Sequence, residues 1–452
     1  MNQSNNTLPN LTDTSYSTIL KISIPTILSS LSSNIMEVID QMILARYSPI
    51  AMAGATSAAN WCITLRCAAM SLVFIAGAFV GNYNGAKKYK FAGMPVWQMI
   101  WFSLFLFALS IPISIFCGTY VIPHDLQSEG LPYFHLLMAC IPIFTMRSAI
   151  NAFFIAIGRG FLVTISVFIA IIFNTVIDLI LVHGKCGITA FMGAKGAAIG
   201  TIVAGLSELI FVLVFFLRQD TREKYGTLNC KLRPRYLAKY MKLGAFASVG
   251  HICESLVYSI IYYYLASVST EYAVIQTICV TTYMFLLTGV MGIEKGVMSI
   301  TANLLGAKLR TKINQLLKRG IVLHLAIATI FSVVVLLFPN IIIGNFIDIN
   351  TADPNFITQA IHVLYVVLLC YIIDGIVWVE AGILEGGGDL NFQMVTIAIS
   401  AWGLIAIPVL IMYYTGNLTA GQNWNMCVFS ATLNAIVLFK RYRSDKWIHI
   451  TV

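Results

Sequence analysis

Two polar residues interrupt a stretch that is otherwise suited to lipid, IIFNTVIDLILVHG at residues 171–184. Asn174 and Asp178 stand four residues apart, so both side chains share one face of a helix. An ionised carboxylate at the centre of a membrane-spanning helix costs on the order of 3 kcal/mol. The chain therefore keeps these groups either for hydrogen bonds to neighbouring helices or as part of a site for a positive ion.

Two further polar residues are predicted at the same depth. Asp40 lies six residues before Arg46, where the first predicted span ends, so it is about 9 Å below that end at the helical rise of ~1.5 Å per residue. Thr201 lies near the start of the sixth predicted span. Carboxylate, amide and hydroxyl oxygens bind hard cations, and paired carboxylates also take up a proton readily. We therefore expect the four groups, from three helices, to form a site for Na⁺ or H⁺.

Carboxylates also interrupt the apolar spans of the second half. Glu254 lies near the middle of the seventh predicted span and Asp374 near the middle of the tenth. Neither has a basic residue within one helical turn on its own span. We expect this pair to act in ion coupling or substrate binding, the alternative being that each is a buried, protonated carboxyl group.

Other ionisable residues at membrane depth are candidates for a cavity lining: Glu37, Arg66, Arg147, Glu294 and Lys295. Glu37 is three residues from Asp40 and is expected on the same face. Glu294 and Lys295 are adjacent, hence about 100° apart on a helix, and are not expected to face each other. Pro25 lies fifteen residues before Asp40 and removes one backbone hydrogen bond, so it predicts either a hinge or a static kink.

The composition places these residues in a membrane protein. Of 452 residues, 58% are hydrophobic and only 10% are charged, whereas a soluble protein carries roughly 25% charged residues. The mean hydropathy is +0.83, and apolar stretches long enough to span a bilayer recur along the chain. The polar N-terminal segment does not resemble a signal peptide, so the first span is expected to direct insertion.

Lysine and arginine alternate between the two sides of the predicted bundle. They concentrate in four connections: 85–90, 218–242, 307–319 and 440–446. The connections between them contain neither residue: 121–130, 267–272, 347–356 and 414–421. This pattern follows the positive-inside rule and predicts that both termini are cytoplasmic. Because orientation accounts for the net charge of +9, no nucleic-acid partner is expected.

Twelve spans are predicted: 16–46, 51–82, 94–121, 131–156, 161–182, 196–217, 238–266, 273–304, 320–346, 357–384, 391–413 and 418–440. The predicted parts are a polar tail at 1–15, an N-lobe at 16–217, a basic linker at 218–237, a C-lobe at 238–440 and a tail at 441–452. The fold class is thus an all-α integral membrane protein, with twelve transmembrane helices in two pseudo-symmetric six-helix lobes around a central cavity.

Three short motifs indicate that the lobes are an internal repeat. GAKKYK at 85 matches GAKLRT at 306, DLQSEG at 125 matches DPNFIT at 353, and IGRGF at 157 matches EGGGD at 385. The paired positions are 221, 228 and 228 residues apart, in the same order. Repeats of this kind are typical of secondary transporters that bind their substrate between the two halves.

Together these residues resemble the multidrug and toxic compound extrusion (MATE) family over essentially the whole chain. The resemblance rests on the spacing of Pro25 and Asp40, on FNTVID with Thr201, on GHICESL around Glu254, and on DGIVWVEAGILEGGGD, which begins at Asp374. It implies a cation site in the N-lobe and a coupling or drug-binding pair in the C-lobe. The sequence departs from the family pattern at Glu294–Lys295, where small residues are usual, and at Glu385, where a basic residue is common.

The resemblance also implies an activity. We expect an antiporter of the bacterial inner membrane that extrudes amphipathic organic cations, drugs and toxic compounds, in exchange for Na⁺ or H⁺. Its expected partners are these small molecules and membrane lipids. It is expected to act as a monomer, with no cofactor and no enzymatic activity.

Other classes of membrane protein fit the sequence less well than an antiporter does. The nearest is a related flippase that exports a lipid-linked or polysaccharide precursor, which Arg66, Arg147 and Lys295 would favour. An integral membrane enzyme is not supported, since the sequence has no HExxH, GxSxG or metal-ligand cluster. A channel is not supported because nothing resembles a filter loop.

Overall fold

The computed structural model describes residues 11–183, 192–347, 349 and 352–448, and its regular elements within them are all helical. Nine of its helices are long and apolar enough to cross a membrane, and a tenth is added if one pair bent by 43° counts as a single span. Two more helices, of 32 and 24 residues, begin and end the bundle. The predicted fold of twelve helices in two lobes is confirmed.

The N-lobe contains the first six of these helices. They are α1 (Tyr16–Tyr47), α2 (Pro49–Phe74 and Ala76–Gly85), α3 (Gly93–Val121), α4 (Gln127–Ala139 and Ile141–Ala156), α5 (Phe161–His183) and α6 (Gly193–Leu217). Single 3₁₀ turns precede two of them, at Tyr89–Phe91 and His124–Leu126.

The C-lobe contains the other six. They are α7 (Pro234–Val268), α8 (Thr270–Gly306), α9 (Ile313–Leu337), α10 (Pro354–Gly387), α11 (Leu390–Ser400, a π-helical turn Ala401–Ala406, and Ile407–Tyr414) and α12 (Ala420–Arg443). Short elements lie at Gln219–Tyr225, Arg310–Lys312 and Pro339–Gly344.

Sharp turns between helices coincide with capping residues and proline. Ser48 ends α1 and caps α2, whose first residue is Pro49; proline tolerates that position because its missing N–H has no partner there. The largest difference from the predicted spans is at α9, which was expected over 320–346. It ends at Leu337 because Pro339 cannot continue the helix, and a separate short helix follows.

The basic linker between the lobes packs on α3. Trp97 Nε1 donates to the Thr227 carbonyl at 2.6 Å, and the Gln98 side chain bonds the backbone on either side of Leu232, at Lys231 and Arg233. These bonds fix the linker to the N-lobe although its sequence is highly charged.

The two lobes meet in a reciprocal contact at the end of the bundle that carries the lysine- and arginine-rich connections, here called the basic end. A Cβ atom on Gly85 would lie 1.9 Å from the Asn303 carbonyl oxygen, and one on Gly306 would lie 1.9 Å from that of Asn82. Gly306 lies 221 residues after Gly85, and Asn303 lies 221 residues after Asn82, which is the offset of the repeat. Such exchange of equivalent contacts is the signature of a two-fold axis, here between α2 and α8.

Further contacts between the lobes lie in the half of the bundle that contains the basic end. Asn84 Nδ2 donates to Asn303 Oδ1 at 2.6 Å, and Ser299 Oγ donates to the Ile155 carbonyl at 3.1 Å. Close to them, a Cβ on Gly296 of α8 would lie 2.4 Å from Ser23 Oγ of α1. The lobes are therefore held together at the basic end.

Candidate functional site

The four polar residues predicted to form a site in the N-lobe lie together. Asn174 and Asp178 on α5 are fully buried, and Asn174 Nδ2 donates to Asp178 Oδ2 at 3.3 Å. The carboxyl group of Asp40 on α1 is within hydrogen-bonding range of that of Asp178. Thr201 Oγ1 on α6 lies 3.4 Å from Asp40 Oδ2. Three helices thus bring two carboxyl groups, an amide and a hydroxyl to one point, which we call the N-lobe cluster.

The N-lobe cluster retains oxygen atoms that could bind a ligand. Asp178 Oδ1 and Asn174 Oδ1 are buried and accept no hydrogen bond from an N–H or hydroxyl group in the part of the chain that the structure describes. Two carboxyl groups in contact must share a proton or a cation, because two bare carboxylates repel each other strongly at low dielectric. The donor set of carboxylate, amide and hydroxyl oxygens suits a hard cation such as Na⁺ as well as a proton.

Gly200 makes the close approach of α5 to α6 possible. A Cβ atom at this position would lie only 1.7 Å from Asp178 Oδ1. Sequence reasoning missed this residue. The sequence nevertheless contained an indication, because Gly200 stands inside a predicted helix directly before Thr201. Glycine lowers helix stability at such a position, so its presence suggests that another group packs closely against the backbone there.

We expect Gly200→Ala to lower ion-driven efflux at least about tenfold, since displacing a ligand group by about 1 Å can disable a site. The added methyl group must push the Asp178 carboxyl group away from α6. Efflux and protein yield are measured in parallel. Gly289→Ala is the matched control, because a Cβ there meets nothing within 4 Å. Wild-type efflux by Gly200→Ala would contradict the role given to the carboxyl group.

A cavity of about 420 Å³ lies between the lobes and is lined by Glu254 and Asp374. Asp374 Oδ2 accepts hydrogen bonds from Tyr283 at 2.7 Å and from Trp378 Nε1 at 2.8 Å. Glu254 on α7 is near enough to Asp374 on α10 for their charges to interact. The structure therefore places this predicted pair in one cavity, with two aromatic donors to Asp374 that the sequence did not single out.

The cavity and the N-lobe cluster are separate but share helices. None of the four cluster residues is among those lining the cavity. However, α1 lines the cavity with Thr26 and Ser29 and carries Asp40 beyond it, and α5 lines it with Val163 and Val167. A movement of α1 or α5 caused by ion binding would therefore change the cavity wall.

The basic residues of the cavity lining are paired with carboxylates. Arg147 Nη1 donates to Glu208 Oε2 at 2.5 Å, and Glu208 Oε1 is 3.3 Å from Asn151 Nδ2. Lys295 Nζ lies 3.1 Å from Glu385 Oε2. Glu208 and Glu385 were not predicted as partners, because sequence gives the depth of a residue but not the direction in which it faces.

One prediction was wrong. Glu294 and Lys295 were not expected to face each other, yet Lys295 Nζ lies 3.2 Å from Glu294 Oε1. The four-carbon stem of lysine is flexible enough to bend toward an adjacent position. Glu385 on α10 holds the ammonium group between the two carboxylates.

Three other predicted residues lie as follows. Arg66 is not part of the cavity lining, and its guanidinium group stacks 5.2 Å from the centroid of the Phe144 ring. Pro25 lies within the continuous helix α1, and its carbonyl oxygen accepts a hydrogen bond from Thr164 on α5 at 2.7 Å. Glu37 belongs to α1, but its side chain lies outside the described residues.

We expect Glu208→Gln to lower the stability of the protein by about 3 kcal/mol, because it leaves the Arg147 charge half-buried without its carboxylate. Thermal unfolding in detergent, followed by tryptophan fluorescence, measures the effect. The double variant Arg147→Met, Glu208→Leu is the control and is expected to regain most of the loss. A double variant no more stable than Glu208→Gln would contradict this account.

The comparisons with known proteins agree with the predicted family. The model of the MatE family matches residues 25–180 and 247–412, one segment in each half of the chain. The probable multidrug resistance protein NorM of Pasteurella multocida is 22% identical over 94% of this chain and 93% of its own. The multidrug export protein MepA of Staphylococcus haemolyticus is 22% identical over 82% of each chain.

Solved structures share the fold. An outward-facing MATE transporter of the MOP superfamily superposes with a TM-score of 0.84 and 15% identity, over 96% of both chains. A MOP superfamily transporter of Pyrococcus furiosus superposes with a TM-score of 0.83 and 14% identity, over 94% of this chain and 95% of its own. That transporter is described as having a binding pocket of reverse polarity. The family match over most of the sequence, in the two halves that the repeat predicted, shows that this chain belongs to the MatE family of multi-pass membrane transporters.

Proposed function

We propose that the protein is a secondary active antiporter that exports amphipathic organic cations in exchange for Na⁺ or H⁺. The charge of the cavity carries this proposal. Its lining contains five acidic residues and two basic residues, Arg147 and Lys295. Both basic residues are paired, which leaves Glu254 and Asp374 without a cation beside them among the described residues. A low-dielectric cavity strengthens the attraction of such a pair for a positive charge.

Apolar and aromatic groups in the lining support an amphipathic substrate. Phe74, Met291 and Trp378 line the same cavity as the two carboxylates. Aromatic faces attract organic cations, and methionine adapts to ligands of different shape. The names of the relatives, a multidrug resistance protein and a multidrug export protein, point to the same class of substrate.

The N-lobe cluster is the proposed site of the coupling ion. Ion binding at Asp40 and Asp178 would neutralise their shared charge and change the packing of α1 against α5 and α6. Since α1 and α5 also line the cavity, the ion and the substrate favour different conformations. Exchange then needs only that each binds one state of the carrier more tightly than the other.

The orientation follows from charge. The basic end is the cytoplasmic side by the positive-inside rule, with both chain termini there, in a bacterial inner membrane. The lobe boundaries at 16–217 and 238–440, the linker at 218–237 and the two tails are proposed as predicted, although α7 begins four residues earlier, at Pro234, and α12 ends three residues later, at Arg443. Because the contacts between lobes lie at the basic end, we assign this conformation to a state that is closed toward the cytoplasm.

A flippase for lipid diphosphates is the second candidate, since it would use arginine and lysine in its cavity. The pairing of Arg147 and Lys295 with carboxylates argues against a flippase, and Arg66 does not line the cavity. An anionic headgroup would have to displace these carboxylates before it could bind.

Transport by the purified protein in liposomes tests the proposal. Inward gradients of Na⁺ and of H⁺ are imposed separately, with ethidium as the organic cation. We expect ethidium to move against its gradient with at least one of the two ions and to show saturation with concentration. Transport under neither gradient, or transport of a lipid diphosphate instead of ethidium, would overturn the proposal.

A further inference from the structure

One face of α10 carries two acidic residues that line the cavity at separate depths. Asp374 and Glu385 are eleven residues apart, which is close to three helical turns and about 16 Å along the axis. Val377, Trp378 and Ala381 lie on the same face between them and also line the cavity. The cavity therefore has two acidic positions separated by a largely apolar wall.

The acidic position nearer the basic end consists of three charged side chains in contact with one another. We call them the inner cluster: Glu294, Lys295 and Glu385. Lys295 Nζ lies 3.2 Å from Glu294 and 3.1 Å from Glu385. It also lies 4.8 Å from the centroid of the Phe74 ring, which comes from the other lobe. When both carboxyl groups are ionised, two carboxylates and one ammonium group leave a formal charge of −1, so Lys295 alone does not balance the inner cluster.

A buried oxygen atom in the inner cluster lacks a partner. Glu294 is 2% exposed, and its Oε2 atom accepts no hydrogen bond from an N–H or hydroxyl group within the ranges that the structure describes. A buried acceptor of this kind is costly, and in native proteins it commonly marks a place where a ligand, ion or water binds. Because Glu294 lines the cavity, a bound molecule can supply the missing positive charge or donor.

We propose that the inner cluster is a second cation subsite, which binds the far charge of a substrate with two cationic groups on an extended apolar spacer. Glu254 and Asp374 bind the first charge, and the spacer lies along Val377 and Trp378. The inference rests on the proposed export of organic cations, and it adds that the preferred substrates carry two cationic groups. Lys295 weakens the subsite by neutralising one of its two carboxylates.

Spacer length provides the first test and needs no variant. The probes are bis(trimethylammonium) alkanes with spacers from tetramethylene to dodecamethylene, and dodecyltrimethylammonium as the single-headed reference. Competition with ethidium efflux by the wild-type protein in liposomes gives an apparent affinity for each probe. We expect affinity to rise steeply once the spacer is long enough for the two charges to reach both acidic positions. Affinity that does not depend on spacer length would overturn the proposal.

Substitutions in the inner cluster provide the second test. We expect Glu294→Gln and Glu385→Gln to weaken the longest dication, relative to the single-headed reference, by about tenfold, which corresponds to roughly 1.4 kcal/mol. Lys295→Gln is expected to shift this ratio in the opposite direction. Glu380→Gln is the matched control, because Glu380 lies on the same helix and is 3% exposed but does not line the cavity. Its ratio should equal that of the wild type.

The outcomes separate this inference from the proposed function. Glu294→Gln, Glu385→Gln and Lys295→Gln could each weaken the binding of dications and of the single-headed reference equally. That result would show that the inner cluster only supports the fold. It would overturn the subsite while leaving cation export intact. A wild-type protein that moves neither kind of cation would instead overturn the proposed function.

Discussion

Asp40→Asn and Asp178→Asn are each expected to abolish ion-driven efflux while the protein still inserts into the membrane. Asparagine keeps the shape of aspartate but cannot exchange a proton and is a much weaker ligand for a cation. The loss of one partner from a buried charge site costs about 3 kcal/mol, which corresponds to more than a hundredfold in ion affinity. Drug resistance of cells and efflux from liposomes measure the effect, with protein level in the membrane followed by immunoblot.

The matched control for these variants is Asp353→Asn. Asp353 caps the start of α10 through a hydrogen bond from the Asn355 N–H, outside the membrane-spanning part. Asparagine caps helices about as well as aspartate, so this variant should behave as wild type. If Asp40→Asn and Asp178→Asn also retained wild-type efflux, the N-lobe cluster would not be the coupling site.

Gly85→Ala and Gly306→Ala are expected to reduce efflux about tenfold by opening the contact between the lobes at the basic end. Each added methyl group would lie 1.9 Å from a backbone carbonyl oxygen, which cannot rotate away as a side chain can. Overpacking of this kind costs about 1 to 3 kcal/mol. That cost falls only on the conformation in which the lobes touch, so the population of other conformations should increase.

Distances between spin labels at Lys88 and Lys312, in a variant without reactive cysteines, report on this population. The wild type should give one short distance, and both glycine variants should add a longer one. Gly403→Ala is the control, because a Cβ at that position meets nothing within 4 Å. If the wild type and all three glycine variants gave the same distance between the labels, the contact of Gly85 and Gly306 with the opposite lobe would not be what closes the carrier.

Most of the fold could be predicted from hydropathy and from the internal repeat. Apolar length determines which segments can cross a bilayer, so the predicted spans match the helices apart from α9, where the stop at Pro339 was missed. The repeat of GAK at 85 and 306 predicted two equivalent halves. It did not predict that Gly85 and Gly306 touch the opposite halves, because contacts between lobes depend on their relative orientation.

The candidate site was predictable to a lesser extent. Topology and helical rise placed Asp40 and Asp178 at one depth, and they meet in the structure. Depth alone could not show that Glu208 pairs with Arg147, since this requires the rotation of each helix about its axis. The pairing of Glu294 with Lys295 was missed for a similar reason, because a third residue on another helix holds the lysine between two carboxylates.

In the proposed mechanism, a small cation at Asp40 and Asp178 and an organic cation in the cavity displace each other. Equilibrium binding of labelled ethidium to the purified protein, at a series of Na⁺ concentrations and at a series of pH values, measures this directly. Ethidium affinity should fall as one of these ions increases, and that dependence should disappear in Asp40→Asn. An affinity that stays constant with both ions, or that responds equally in Asp40→Asn, would contradict the claim.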